Sequence, residues 1–166
     1  SDSAGGVRDL RRSQDGRYVS VSSLGNFFAT LAPDQESWDL HQRVSSKRVQ
    51  SMGFEPSGQL WMLARGAEIR LNENPEDIDS WKKAIIPITN GYNYLDMAWD
   101  PNGVIWAAGG NGTLIVSRDQ GESWEKDPIG DSQPSNLSRI IFDKAFDSNG
   151  RGFVLGERGH LLRWVG

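Results

Sequence analysis

Ser117-Arg118-Asp119-Gln120-Gly121-Glu122-Ser123-Trp124 is the stretch that decides the fold. It fills every fixed position of the pattern Ser-x-Asp-x-Gly-x-Ser/Thr-Trp, the Asp box. Its chemistry is that of a hairpin. The Asp carboxylate accepts N–H groups of the turn, Gly permits a positive φ, and the Trp indole is large enough to pack between neighbouring sheets. Ser117, Asp119, Gly121 and Trp124 are therefore read as a structural staple between two strands.

Outward from this box the same spacing recurs. Asp34-Gln35-Glu36-Ser37-Trp38 and Asp77-Ile78-Asp79-Ser80-Trp81 keep only the terminal Ser-Trp, yet Trp38, Trp81 and Trp124 stand 43 residues apart. Gly16, Gly58, Gly103 and Gly150 form a second series, 42, 45 and 47 residues apart. Between the turns lie β-branched and aromatic residues such as Val19, Val21, Phe27, Val104, Ile105, Ile115, Val116 and Phe153. A unit of this length, made of short strands between Asp-Gly, Asn-Gly and Ser-Gly turns, is a four-stranded antiparallel β-propeller blade. The expected fold is all-β, with blade-like repeats at about 7–48, 49–94, 95–139 and 140–166, opening on Val7–Leu10, Val49–Phe54, Leu95–Trp99 and Ile140–Phe142. The last repeat runs out after its third strand, which predicts a partial β-propeller domain over 1–166 whose closing strand lies upstream of Ser1. Such a piece exposes strand edges through which it would self-associate.

Composition narrows the function. With 18 Lys plus Arg against 22 Asp plus Glu the formal charge is −4, which excludes a general nucleic-acid binder. The absence of Cys excludes disulfides, thiolate zinc sites and a cysteine nucleophile. No apolar run reaches the roughly 20 residues of a membrane helix. His41 and His160 are the two histidines, at no ligand spacing, so no metal site is expected. Asp100-Pro101-Asn102-Gly103 and Asp147-Ser148-Asn149-Gly150 lack the remainder of a calcium loop and read as turns. Asn111-Gly112-Thr113 and Asn136-Leu137-Ser138 match the glycosylation pattern, but Asn111-Gly112 already serves as a hairpin turn. Trp61, Trp99, Trp106 and Trp164 are read as blade packing, since Trp61 and Trp106 match Val19 and Phe153 on second strands.

The turns divide by sign. First-to-second and third-to-fourth turns carry Asp15, Asp34, Glu36, Glu55, Glu73, Glu76, Asp77, Asp79, Asp100, Asp119, Glu122 and Asp147, with Arg118 as the base expected among them. At the opposite end, Arg43, Lys47, Arg48 and Arg139 lie in or beside the connections between blades, and Arg65 and Arg158 at equivalent second-to-third turns. Glu68, Asp127, Asp131 and Glu157 dilute them. These six bases form the expected partner-binding face, suited to carboxylates that a guanidinium fork receives bidentately.

Several stretches carry a closer likeness: Val7-Arg8-Asp9-Leu10, Asp15-Gly16-Arg17-Tyr18-Val19-Ser20-Val21-Ser22-Ser23, Gly25-Asn26-Phe27, Ser45 to Phe54, Leu60 to Gly66, Ile105 to Gly112, Gly152 to Gly156 and Leu161 to Gly166. In these the chain resembles the photosystem II assembly and stability factors of cyanobacteria and chloroplasts, nearly end to end. The resemblance implies the C-terminal half of a seven-bladed propeller in the thylakoid lumen, peripheral to the membrane through protein partners. It implies binding of a newly made photosystem II reaction-centre precursor subunit and of early assembly intermediates through an arginine patch, with no cofactor and no catalysis. Leu24 and Lys47 stand where that family usually has Arg, and Lys keeps the charge but not the fork. The competing readings are a sialidase-like Asp-box glycosidase and a generic ligand-binding propeller. The glycosidase would need an arginine cluster, an acid/base Asp and a Tyr–Glu nucleophile pair, and none of Tyr18, Tyr92 and Tyr94 is placed beside a Glu by its spacing.

Overall fold

The computed structural model describes residues 6–30, 32–41, 43, 45–87, 91–133, 135–143 and 151–165. The turn at Gly150, with Asp147 and Asn149, lies outside the described residues. The regular structure of the described residues is strand apart from one four-residue α-helix and short 3-10 turns, and the chain divides into two compact units, residues 1–85 and 86–166.

In the first unit, β1 (Val7–Arg12), β2 (Tyr18–Ser22), β3 (Phe27–Ala29) and β4 (Asp39–His41) form a four-stranded sheet in sequence order. A second sheet repeats the plan with β5 (Val49–Phe54), β6 (Leu60–Ala64), β7 (Glu68–Asn74) and β8 (Asp77–Trp81). Every pairing is antiparallel, as short turns between consecutive strands require. β1 and β2 pack on β5, and the core between the sheets is built from Val19, Val21, Phe27, Val49, Met52, Leu60 and Met62. Phe54 and Trp81 close it, Trp81 standing edge-on to Phe27 at 6.3 Å. Trp38, at the equivalent position, is instead 45% exposed and touches Tyr18.

The second unit holds a four-stranded sheet of β9 (Tyr94–Trp99), β10 (Ile105–Gly109), β11 (Leu114–Ser117) and β12 (Glu125–Lys126). A short helix, α1 (Pro128–Asp131), follows, capped by the Asp127 carboxylate on the Ile129 N–H. β13 (Leu137–Asp143), β14 (Arg151–Gly156) and β15 (Leu161–Trp164) make a three-stranded sheet. β13 starts at Leu137, earlier than the expected Ile140, because Leu137 and Arg139 already pair with Gly156 and Leu155 of β14; Asp96 on β9 accepts the Ile140 N–H at 2.9 Å. Ala108, Leu114, Leu137, Ile140 and Val154 form the core, with Trp106, Phe142 and Leu162 against it. The fold class is thus all-β, four sets of antiparallel strands in a partial β-propeller.

The Asp box closes the β11–β12 hairpin as its residue types require. Ser117 Oγ donates to Asp119 Oδ1 at 2.8 Å and accepts the Gly121 N–H at 2.9 Å. Asp119 also accepts the Ser123 N–H and hydroxyl, and these bonds hold its carboxyl down at about 2. Trp124, half-buried, donates its indole N–H to the Gly121 carbonyl at 3.1 Å. Gly121 has φ 91°, where a Cβ is strained.

Trp61 shows how tightly the second sheet is packed. The residue is 2% exposed, and a methyl group placed on Gly53 would sit 2.5 Å from its ring. Gly53→Ala is expected to destabilise the protein by about 1–3 kcal/mol through overpacking. Urea denaturation followed by tryptophan fluorescence measures this, with Gly6→Ala, in open space, as the unchanged control.

Candidate partner-binding face

Four of the six sequence-predicted bases meet at one end of the first unit. The β4–β5 connection brings Arg43, Lys47 and Arg48 over the two glycine turns that join β2 to β3 and β6 to β7. A methyl on Gly25 would lie 3.4 Å from an Arg43 guanidinium nitrogen and 3.3 Å from the Val49 amide nitrogen. One on Gly66 would lie 2.8 Å from Lys47 Nζ. Both glycines have positive φ, 85° and 80°, so the connection rests on bare backbone that a side chain would obstruct. The Arg65 N–H donates to the Arg48 carbonyl at 3.0 Å, which fixes the second turn to the connection.

The charges here are not equivalent. Glu68, 5% exposed, receives Arg70 Nε on Oε1 at 2.6 Å and faces Lys47 Nζ with Oε2 at 3.8 Å. Its burial is tolerated because cations answer it from two sides. Arg43 and Arg65 are exposed and enter no ion pair among the described residues. Arg48 is half-buried, and its Nε, itself inaccessible, donates to no acceptor among the described residues.

In the second unit Arg139 lies on β13 with Nε 3.7 Å from Asp96, a carboxylate with no exposure. Arg158 stands at the tip of the Glu157–Gly159 turn, exposed, with φ 58°. Asn136 braces that turn, donating from Nδ2 to Glu157 Oε1 at 2.9 Å and accepting the Glu157 N–H on its carbonyl at 3.0 Å. Asn111 and Glu157 are thereby tied to the connection that follows α1, since Asn136 Oδ1 also accepts the Asn111 N–H.

The sequence reading missed the part played by Glu68, counting it as a surface diluent. The signal was present: an acid two residues before Arg70 and at the foot of the turn carrying Arg65. The sign pattern at the other end of the sheets also needs correction. Arg17 joins Arg118 there, bonded to Asp15 at 3.0 Å and to the Gly58 carbonyl, with its guanidinium over Phe54. Among the described residues no group of His, Asp or Glu could hold a metal ion, and no helix is long and apolar enough to cross a membrane.

At that acidic end Glu55 occupies the turn position that Asp100 holds in the second unit. Asp100 receives the N–H groups of Asn102 and Val104 and the indole of Trp106. Glu55, one methylene longer, has the Ser57 hydroxyl at 3.4 Å, and burial drives its carboxyl up to about 7 against the opposing pull of Ser57 and Lys82. A carboxyl raised in the folded state stabilises fully below its ordinary range and loses that contribution as pH rises through about 7. The melting temperature should therefore fall between pH 5 and pH 8, and Glu55→Gln should flatten that part of the profile.

Comparison with known proteins places this geometry in context. A family model described as photosynthesis system II assembly factor YCF48 matches residues 1–165. The photosystem II assembly lipoprotein Ycf48 of Prochlorococcus marinus strain MIT 9313 is 70% identical over 166 residues, 100% of this chain and 50% of its own length. That of Synechococcus sp. strain CC9605 is 67% identical over 99% of this chain and 48% of its own. The chain spans about half the length of the curated relatives it matches. A solved structure of YCF48 bound to D1 peptide superposes with a TM-score of 0.86 at 39% identity, over 98% of this chain and 51% of that one. YCF48 from Cyanidioschyzon merolae superposes with a TM-score of 0.79 at 27% identity, over 99% and 55%. An ancestral GH74 enzyme, 18% identical with a TM-score of 0.70, shares the fold alone.

Proposed function

The chain belongs to the YCF48 family of photosystem II assembly factors, and on that premise we propose that its basic face receives a newly made photosystem II reaction-centre subunit. The observation that carries the proposal is the gathering of Arg43, Lys47, Arg48 and Arg65 over the Gly25 and Gly66 turns, in a chain whose net charge is negative. A neighbour 39% identical to it is bound to a D1 peptide. Arg43, Lys47, Arg48, Arg65, Arg139 and Arg158 are the proposed partner-binding residues; Arg158 stands at the centre of its turn, where the second sheet has Gly66, and Arg65 comes one residue earlier than the sequence alignment of the two turns expected.

The mechanism is one of scaffolding. Short turns held on hydrogen-bonded strands lose little conformational freedom when a partner docks, so the contacts are not offset by ordering of the surface. Guanidinium forks receive carboxylates bidentately and set the register of the partner chain. No bond is made or broken, and no cofactor takes part. The relatives' names, assembly lipoproteins, support a non-enzymatic role at a membrane, and we place it at the lumenal side of the thylakoid on early assembly intermediates.

In fluorescence anisotropy with a labelled D1 peptide, the full-length protein is expected to bind with an affinity that falls as salt rises. Changing Arg43, Arg48, Arg65 and Arg158 together to Glu should weaken binding by at least about tenfold, with the melting temperature little altered. Retained binding would move the partner surface elsewhere on the protein. A fluorogenic sialoside should stay uncleaved by the wild type.

A further inference from the structure

The basic end of the first unit has an answered half and an unanswered half. Lys47 and Arg70 share the buried carboxylate of Glu68, which neutralises much of their charge from within. Arg48 has no such partner: its Nε is inaccessible, and among the described residues neither it nor Arg43 forms an ion pair. A guanidinium partly withdrawn from water without an acceptor is unfavourable, and an incoming carboxylate relieves it.

Beside this unanswered half stands an apolar group. Leu24, at the tip of the β2–β3 turn, is 52% exposed. Its neighbour Gly25 is seated against the Val49 nitrogen, so the turn lies on the Arg48–Val49 peptide with Arg43 alongside. The corresponding tips of the other three sheets are Gly66, Asn111 and Arg158, none of which offers a large apolar side chain. Leu24 is thus an apolar tip placed next to Arg43 and Arg48, two bases that have no counter-ion among the described residues.

Resting on the proposed function of this face, we infer that Arg48, Arg43 and Leu24 form a two-point site for an extended acidic peptide in which a carboxylate lies next to an apolar side chain. The carboxylate docks on the Arg48 fork with Arg43 as the second cation. The apolar side chain covers Leu24, and removing both from water supplies specificity that charge alone lacks. Leu24 is then a specificity-determining residue.

The test uses the full-length protein and three labelled decapeptides in a Gly-Ser background, carrying repeated Glu-Leu, Glu-Ser or Gln-Leu steps. The wild type should prefer Glu-Leu over either counterpart by about fivefold or more. Arg48→Gln and Arg48→Lys should each weaken Glu-Leu binding about tenfold, the second because the ammonium keeps the charge without the fork. Leu24→Ser should weaken Glu-Leu about threefold to fivefold and leave Glu-Ser unchanged. Arg118→Ala, which removes a base of the acid-bearing turns already paired with Glu125, should change binding less than about twofold. Melting temperatures of all variants establish that they are folded. Equal losses for Arg118→Ala and Arg48→Gln, or no discrimination between Glu-Leu and Glu-Ser, would overturn the two-point site. If the D1 peptide binds the wild type through its bases while the Glu-Leu probe does not, this site alone is wrong. If neither binds, the basic-face reading falls with it.

Discussion

A carboxylate taken out of water must be answered, and the acids of the opening strands and of Glu68 set the geometry of each unit. Asp9 on β1 accepts the Ser51 hydroxyl of β5 at 3.1 Å while holding Arg11 at 3.0 Å. Asp96, at the matching position on β9, is wholly buried and accepts the Ile140 N–H of β13. Each fixes how the following sheet of its unit sits on the one before, because a shift of register would leave the acid without its donor. Apolar packing supplies most of the stability, but it is tolerant of small slips, whereas a directed hydrogen bond to a buried acid is not.

From that fixed register the position of the basic end, the proposed binding face, follows. With β5 held against β1, the connection between β4 and β5 has to pass over the turn that carries Gly25, and its bases are displayed there. Gly25 and Gly66 allow the close approach. Glu68 then sorts the bases into those with an internal partner and those without. The same physics serves the fold and the proposed recognition: the acids inside the sheets fix the frame, and Arg43, Arg48 and Arg65, which no acid answers among the described residues, are the guanidiniums proposed to meet a partner's carboxylates.

The opposite end of the sheets is specialised for closure. Asp119 is held by Ser117 and Ser123, and Asp100 by two backbone N–H groups and an indole. Asp15 pairs with Arg17, whose guanidinium reaches across to the Gly58 carbonyl of the second sheet. Acids that cap turns in this way are occupied with their own backbone, which supports the basic end as the docking surface. Glu55 is the exception in the series, a longer side chain in a turn shaped for Asp, and burial rather than bonding sets its proton affinity.

The sequence alone determined the fold class and the positions of the turns. Hairpins are local: the Asp box at Ser117 to Trp124 and the spacing of Gly16, Gly58 and Gly103 bring together residues only a few positions apart, and the strand alphabet between them is read directly. It also showed which residues would lie at the basic end, because in an antiparallel meander the end of a turn follows from counting strands. What only the tertiary structure decided was how those residues differ. That Glu68 is buried and faces Lys47 as well as its near neighbour Arg70, that the half-buried Arg48 Nε finds no acceptor among the described residues, and that Trp38 is exposed while Trp81 is packed depend largely on side chains some 20 to 50 residues apart in the chain. Strand spacing carries no record of such contacts, since it reports which end of a sheet a residue occupies and not which neighbour answers its charge.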